Sequence, residues 1–184
     1  MTGPSYSDRR NATAKEQLIA LESKRISVSE QGTLKRAIAF DDITEVRLGV
    51  EMAGRDSQVV CRISAKDGTI IVFGSRSWQS LGQWENRAVG FRDFNTALHR
   101  ALLPYAGTIR FIEGQPLWFG FVMSGLGLML ALLGGGFALF LLLDENPVGF
   151  GGLPGLIIGL YLAWMFRPRP QKPYDPRLYA DMLS

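Results

Sequence analysis

The sequence predicts an α+β protein in two parts: an antiparallel β-sheet domain closed by one helix, followed by a two-helix transmembrane hairpin. Three observations carry this. Apolar and polar residues alternate in short runs between Gln17 and Phe73, which is the period of half-buried strands. The period lengthens to that of an amphipathic helix between Arg87 and Leu103. From Leu117 to Leu143, and again from Val148 to Phe166, there is no Asp, Glu, Lys, Arg or His.

The elements follow in order. Residues 1–15 are rich in Ser, Thr, Asn, Gly and charge and are expected to form a loose arm. A soluble domain spans residues 16–106. Its strand-like runs are Gln17–Glu22, Arg25–Glu30, Thr33–Phe40, Ile43–Glu51, Val59–Ala65 and Thr69–Phe73. In the fourth, Val46, Leu48 and Val50 share one face, with Glu45 and Arg47 on the other. Asp67-Gly68 between two such runs signals a two-residue hairpin turn, because that turn needs positive φ. Gln31-Gly32 and Ala53-Gly54-Arg55-Asp56 read as further turns. Ser75–Asn86 is polar apart from Trp78, Leu81 and Trp84 and reads as a structured loop. In the helix that follows, Phe91, Phe94, Leu98, Ala101 and Leu102 share a face, and Pro104 ends it.

Residues 107–116 read as a linker. The apolar stretches 117–143 and 148–166 each hold about the 20 residues that cross a bilayer core roughly 30 Å thick, and residues 144–147 form a loop expected to be periplasmic. Residues 167–184 form a Pro-rich basic tail. Arg167, Arg169 and Lys172 follow the second stretch closely, and the loop has no basic residue. The positive-inside rule then puts both termini in the cytoplasm. Trp118 opens the first helix and Trp164 closes the second. In a hairpin those ends share one interface, so the two tryptophans are expected anchors.

Small residues recur every four positions, Gly127, Ala131 and Gly135 in one helix and Gly151, Gly155 and Gly159 in the other. Such ridges let backbones approach closely. Either the ridges pack the two helices on each other, or one of them docks another subunit. No charged residue lies within the spans to line an ion path, which argues against a transporter.

Composition excludes several chemistries. The chain has 184 residues and a net charge of +3. A single cysteine, Cys61, rules out an internal disulfide and a Cys-based zinc cluster. His99 is the only histidine, so no metal and no cofactor is expected. The polar N-terminus is not followed by an apolar run, so no secretory signal is expected. Basic and acidic residues are mixed, which does not suggest nucleic-acid binding.

Arg25-Ile26-Ser27-Val28, Ala39-Phe40-Asp41-Asp42-Ile43-Thr44-Glu45-Val46, the Lys66-Asp67-Gly68 turn and the closing helix Phe91–Leu103 follow an order that resembles the pleckstrin-homology-like (PH-like) domains of small bacterial membrane proteins. The resemblance covers about Gln17–Leu103. It implies a curved sheet or partial barrel capped by the helix, and a binding or scaffolding role at the bacterial inner membrane.

The candidate residues are weighed on that basis. Lys24, Arg25, Lys35 and Arg36 are the nearest equivalents of a phosphoinositide-binding cluster, without its spacing. With Arg167, Arg169 and Lys172 they are the candidate headgroup contacts, each worth about 1 kcal/mol near an anionic surface. Asp41-Asp42 with Glu45 has no catalytic partner and reads as a turn before a strand. His99 reads as solvated, and Cys61 as an inert core residue. Trp78 and Trp84 are either partner-contact anchors or packing over an open end of the sheet. Tyr174, Leu178, Tyr179, Met182 and Leu183 are a candidate docking segment. The expected function is that of a non-catalytic accessory, scaffolding or assembly subunit, with membrane lipids and another membrane protein or a second copy of itself as partners. The alternative is a membrane-anchored module that senses anionic lipid or a ligand.

Overall fold

A computed structural model describes residues 3–53, 56–168 and 170–181. Gly54 and Arg55 of the third expected turn, Arg169 of the basic tail, and Met182 and Leu183 lie outside the described residues. The protein is mixed α+β with antiparallel sheets and two long apolar helices. It divides into two compact units, residues 1–114 with 172–184, and residues 115–171.

In the first unit, β1 (Ser5–Asp8), β2 (Gln17–Leu21), β3 (Arg25–Glu30) and β4 (Thr33–Ala39) form a four-stranded antiparallel sheet in chain order. A 3-10 turn at Phe40–Asp42 leads into β5 (Ile43–Ala53), β6 (Asp56–Ala65) and β7 (Ile70–Gly74), a second antiparallel meander. Then come a short hairpin, β8 (Arg76–Ser80) and β9 (Gln83–Asn86), and the helix α1 (Ala88–Leu102). Strand β10 (Arg110–Glu113) returns to lie parallel to β5, and β11 (Lys172–Pro173) pairs antiparallel with β10.

Turn chemistry explains the joints. Gln31 and Gly32 both have positive φ, 50° and 78°, as a two-residue turn of matching twist requires. The turn before β7 is longer than the sequence predicts. Gly68 is at φ 84°, whereas Asp67 is not among the positive-φ residues. The Ala65 N–H bonds to Thr69 O and the Gly68 N–H to Ala65 O. The loop is therefore the three residues Lys66-Asp67-Gly68, of which only the last needs glycine.

The alternating faces and the helix stripe meet in one core. Ile19, Ile26, Val46, Ile63, Phe73, Leu98 and Leu102 are all buried there. Each such side chain contributes about 1.5–3 kcal/mol relative to an exposed one. Tyr6, Phe73, Phe91 and Phe94 pack as an aromatic group with centroids 5.3–6.2 Å apart.

Four expectations need correction. The stretch read as a loose arm contains β1, with Tyr6 and Asp8 buried. The stretch read as a loop at 75–86 is the β8–β9 hairpin. The linker contains β10, with Phe111 buried. The tail contributes β11 and the short helix α4 (Arg177–Ala180) to the first unit.

In the second unit, α2 (Leu117–Leu143) is followed by a 3-10 segment at Pro147–Gly152 and α3 (Leu153–Met165). Asn146 starts the 3-10 segment by accepting the Val148 N–H at 3.0 Å. The sequence predicts one continuous helix over 148–166. Pro147 and Pro154 with Gly149, Gly151 and Gly152 instead wind its first part tighter.

Candidate functional site

The apolar helices pack along a seam of small residues. A Cβ added at Gly159 would run into Ala131 N and Gly127 O, and one at Gly152 into Gly134 O. One at Gly127 would come within 2.6 Å of Ala163 N, and one at Gly134 within 2.6 Å of Leu156 N. Gly155 is looser, 3.3 Å from Gly134 Cα. On α2 the seam therefore runs through Gly127, Ala131, Gly134 and Ala138, alternating four and three residues, because 3.6 residues per turn carries a strict four-residue ridge off the face. The two predicted ridges drift accordingly. Gly135 sits at the edge, 3.2 Å from the Leu156 side chain, and Gly151 faces open space. Ser124 Oγ donates to Ala163 O at 3.1 Å, a hydrogen bond between the helices.

The far ends of the pair also meet. Phe119 and Phe166 lie 6.1 Å apart, and a Cβ on Gly120 would approach Pro168 Cα at 3.1 Å. Trp118 and Trp164 are both exposed near this end, and the Arg167 guanidinium stacks 5.8 Å from the Trp164 ring.

The other candidates are dispersed. Arg25 pairs with Ala39 and Arg36 with Val28, so the two basic pairs stand roughly 10 Å apart along the β3–β4 hairpin. Arg25 is bonded to Glu22 at 2.7 Å, and Arg36 donates to Ile70 O at 2.9 Å. Lys24 and Lys35 are exposed. Trp78 and Trp84 face each other across the β8–β9 hairpin, each half-buried, with Arg9 4.5 Å over the Trp78 ring. Leu81 at the hairpin tip is 94% exposed. Cys61 is buried, which pushes its thiol pKa up and leaves it un-ionised. Among the described residues no group of three or more His, Cys, Asp or Glu is placed to hold a metal. No protein-family model, curated protein or solved structure matches this chain.

Two polar arrangements were missed by sequence reasoning. The first fastens the C-terminal segment. His99 is fully buried, not solvated. Its Nδ1 lies 2.7 Å from Asn95 O, and its Nε2 lies 2.7 Å from Tyr174 Oη. A carbonyl only accepts, so Nδ1 carries the proton and neutral Nε2 accepts from the tyrosine. Burial lowers the His99 pKa and keeps the ring neutral. Tyr179 donates to Glu113 at 2.7 Å, and its pKa is pushed up to about 12 by burial and that carboxylate. Arg100 donates to Ala180 O at 2.9 Å. Lys172 is the first residue of this strap, opposite Glu113. Of the candidate docking segment, Tyr174 and Tyr179 therefore pack on this chain's own core, whereas Leu178 is exposed.

The second arrangement surrounds Gly74 at the end of β7. Tyr6 Oη donates to Gly74 O at 2.6 Å, and Asp8 Oδ2 accepts the Gly74 N–H at 3.0 Å. Side chains of β1 thus satisfy a backbone unit that has run out of ladder. Burial raises the Asp8 pKa to about 6, opposed by the Gly74 N–H and by Arg10. Asp8 Oδ1, Arg10 Nη1 and Gln58 Oε1 are buried without a hydrogen-bond partner. Here the sequence offers only the four residues Ser5-Tyr6-Ser7-Asp8, too few to establish a period in a stretch rich in polar residues.

Proposed function

We propose that this chain is a non-catalytic integral membrane protein that serves as an accessory, scaffolding or assembly subunit of a membrane complex. The observation that carries the reading is how the apolar helices are inserted. The chain leaves the soluble unit after β10 and re-enters at β11, and these strands are hydrogen-bonded neighbours with Glu113 opposite Lys172. An insertion whose two ends lie side by side crosses a bilayer an even number of times. At about 1.5 Å per α-helical and 2.0 Å per 3-10 residue, α2 is roughly 40 Å long and the second span roughly 31 Å, both enough to cross. Their outward surface is almost wholly large and apolar, including Leu132, Phe140, Ile157 and Leu160, far more than a water-soluble surface sustains.

Positive residues after α3 support an orientation with both termini in the cytoplasm of a bacterial cell and the Asp144–Pro147 loop outside the inner membrane. Four antiparallel strands, then three, with a helix packed on the core after them, support the PH-like reading, to which the β8–β9 hairpin, β10 and β11 are additions. Gly125, Gly136 and Gly151 face open space away from the seam, leaving close-approach surface for a second membrane protein. The lipid-sensing alternative draws less support, since the basic pairs do not converge.

Gentle solubilisation of the tagged chain from native membranes, with mass spectrometry of what co-purifies, tests the proposal. A stoichiometric partner that survives high salt is expected. Recovery of the chain alone, with salt-sensitive binding to anionic vesicles, overturns the accessory role in favour of the sensor.

A further inference from the structure

Strands β5 and β6 run past the rest of their sheet. Strand β10 pairs with β5 only as far as Leu48, and β7 pairs with β6 only as far as Val60. Beyond those points the described residues of β5 and β6 pair with each other out to Ala53 and Asp56. The result is a two-stranded arm. Its core-side face continues the row that begins with buried Val46 and Leu48 on β5 and Ile63 and Cys61 on β6. On the arm that row becomes Val50, Met52 and Val59, which are 59%, 71% and 40% exposed. Val50 stands directly opposite Val59, so the three side chains make one apolar patch. The other face is covered: Glu51 is paired to Arg10 at 2.9 Å, and Gln58 opposite it and Ala53 beyond it are buried.

The direction of the arm gives the patch an occupant. Strand β10 runs parallel to β5, and the Gly114 N–H bonds to Leu48 O at 2.9 Å. Helix α2 begins at Leu117, and the chain comes back at Lys172, opposite Glu113. Both connections to the apolar helices therefore leave from the end of the sheet that carries the arm. Three residues from Gly114 to Leu117 reach at most about 10 Å. The five residues Gly49–Ala53 extend about 16 Å in the direction β10 was running. The arm thus extends farther from that edge of the sheet than the tether can.

We infer that the β5–β6 arm is a membrane-contact element, with Val50, Met52 and Val59 seated among the headgroups of the bilayer that the apolar helices cross. The inference rests on the membrane reading above. With its other face covered within the first unit, the exposed apolar row is the surface the arm has to offer the interface.

Depth measurement on the full chain tests it. Single cysteines at Met52, at Asp67 and at Leu132 are labelled with a fluorophore, and the proteins are reconstituted in phosphatidylcholine–phosphatidylglycerol vesicles. Lipids spin-labelled at the headgroup or deep in the chain serve as quenchers. Asp67 is in the turn at the opposite end of β6, and Leu132 is an exposed residue midway along α2. Buried Cys61 stays unlabelled, with the unsubstituted chain as the blank. The expected result is loss of most Met52→Cys signal to the headgroup quencher, of most Leu132→Cys signal to the deep quencher, and of little Asp67→Cys signal to either. Quenching at 132 with position 52 as bright as position 67 overturns the arm's role and leaves the membrane reading standing. Equal headgroup quenching at 52 and 67 also overturns it, since the whole domain then lies on the surface. No deep quenching at 132 overturns the membrane reading and the inference together.

Discussion

Asp8→Asn is expected to stabilise the first unit at neutral pH, although it removes a charged hydrogen-bond acceptor. Asp8 is 1% exposed, one of its oxygens holds the Gly74 N–H, and the other has no partner. Burial raises its pKa from 3.8 to about 6. A folded pKa above the unfolded one gives stability that is complete below pH 3.8 and is lost as pH rises through about 6. At about 1.4 kcal/mol per pH unit the buried carboxylate costs about 3 kcal/mol at pH 7. Asparagine keeps an oxygen for Gly74 and carries no charge. Its amide hydrogens need new partners, so the net gain is between about 1 and 3 kcal/mol, or several degrees in apparent Tm.

The assay is thermal unfolding of the full chain in mild detergent between pH 5 and 8, followed by near-ultraviolet circular dichroism, for both proteins. The difference between them is the quantity to read, because His99 titrates in the opposite sense. Its pKa is lowered by burial, so the stability it contributes is present above its unfolded pKa and is lost as pH falls. The pKa values of Glu22, Asp67 and Glu85 are lowered by hydrogen bonds to Arg25, Thr69 and Arg87, and these groups titrate below the window. The variant's advantage should grow from pH 5 to pH 7 and then level off. An Asp8→Asn protein no more stable than the parent at pH 7, or an advantage that does not change with pH, would refute the account of Asp8 as a buried, poorly compensated carboxylate.

Gly159→Leu is expected to break the helix seam and lower the apparent Tm in detergent by an amount equivalent to about 1–3 kcal/mol or more, while Gly151→Leu, facing open space, leaves it unchanged. Tyr174→Phe leaves the buried His99 Nε2 without its donor, a cost of about 1–3 kcal/mol, and limited trypsinolysis should then cut faster at Arg177. The same cut should accelerate in the parent as pH falls below about 6.5, because detaching the strap lets His99 take up the proton that burial disfavours. A cysteine at Glu145 should react with an impermeant maleimide added outside intact cells while one at Lys24 stays silent, and the reverse pattern overturns the proposed orientation.

The sequence was most legible where one physical demand acts alone. The uncharged runs marked both apolar helices, and alternation marked β2 to β7, because burying one face of a strand leaves a period no other element has. Legibility failed where long-range pairing supplies the stability. Ser5–Asp8 and Arg110–Glu113 are four-residue strands, too short to show a period, and they exist because β2 and β5 offer them ladders. His99 looked solvated because it stands off the apolar stripe of its own helix. What buries it is Tyr174 and Tyr179, 75 and 80 residues on in sequence. The glycine ridges were legible as composition but not as a face, since a seam that alternates three and four residues shares only some of its members with a strict four-residue repeat.

The insertion of the helices into the soluble fold explains why the tail is built as it is. A helix pair appended to a domain needs one connection, and the chain past its second helix then has no structural task. Here the second connection is closed by β11, by two tyrosines and by Arg100 on the Ala180 carbonyl. Closing the second connection orders some ten residues at an entropic cost. That cost is offset by the burial of Tyr174 and Tyr179 against His99 and Phe111. Both connections leave from neighbouring strands at one end of the first unit's sheet, with the Lys66-Asp67-Gly68 turn at the other end.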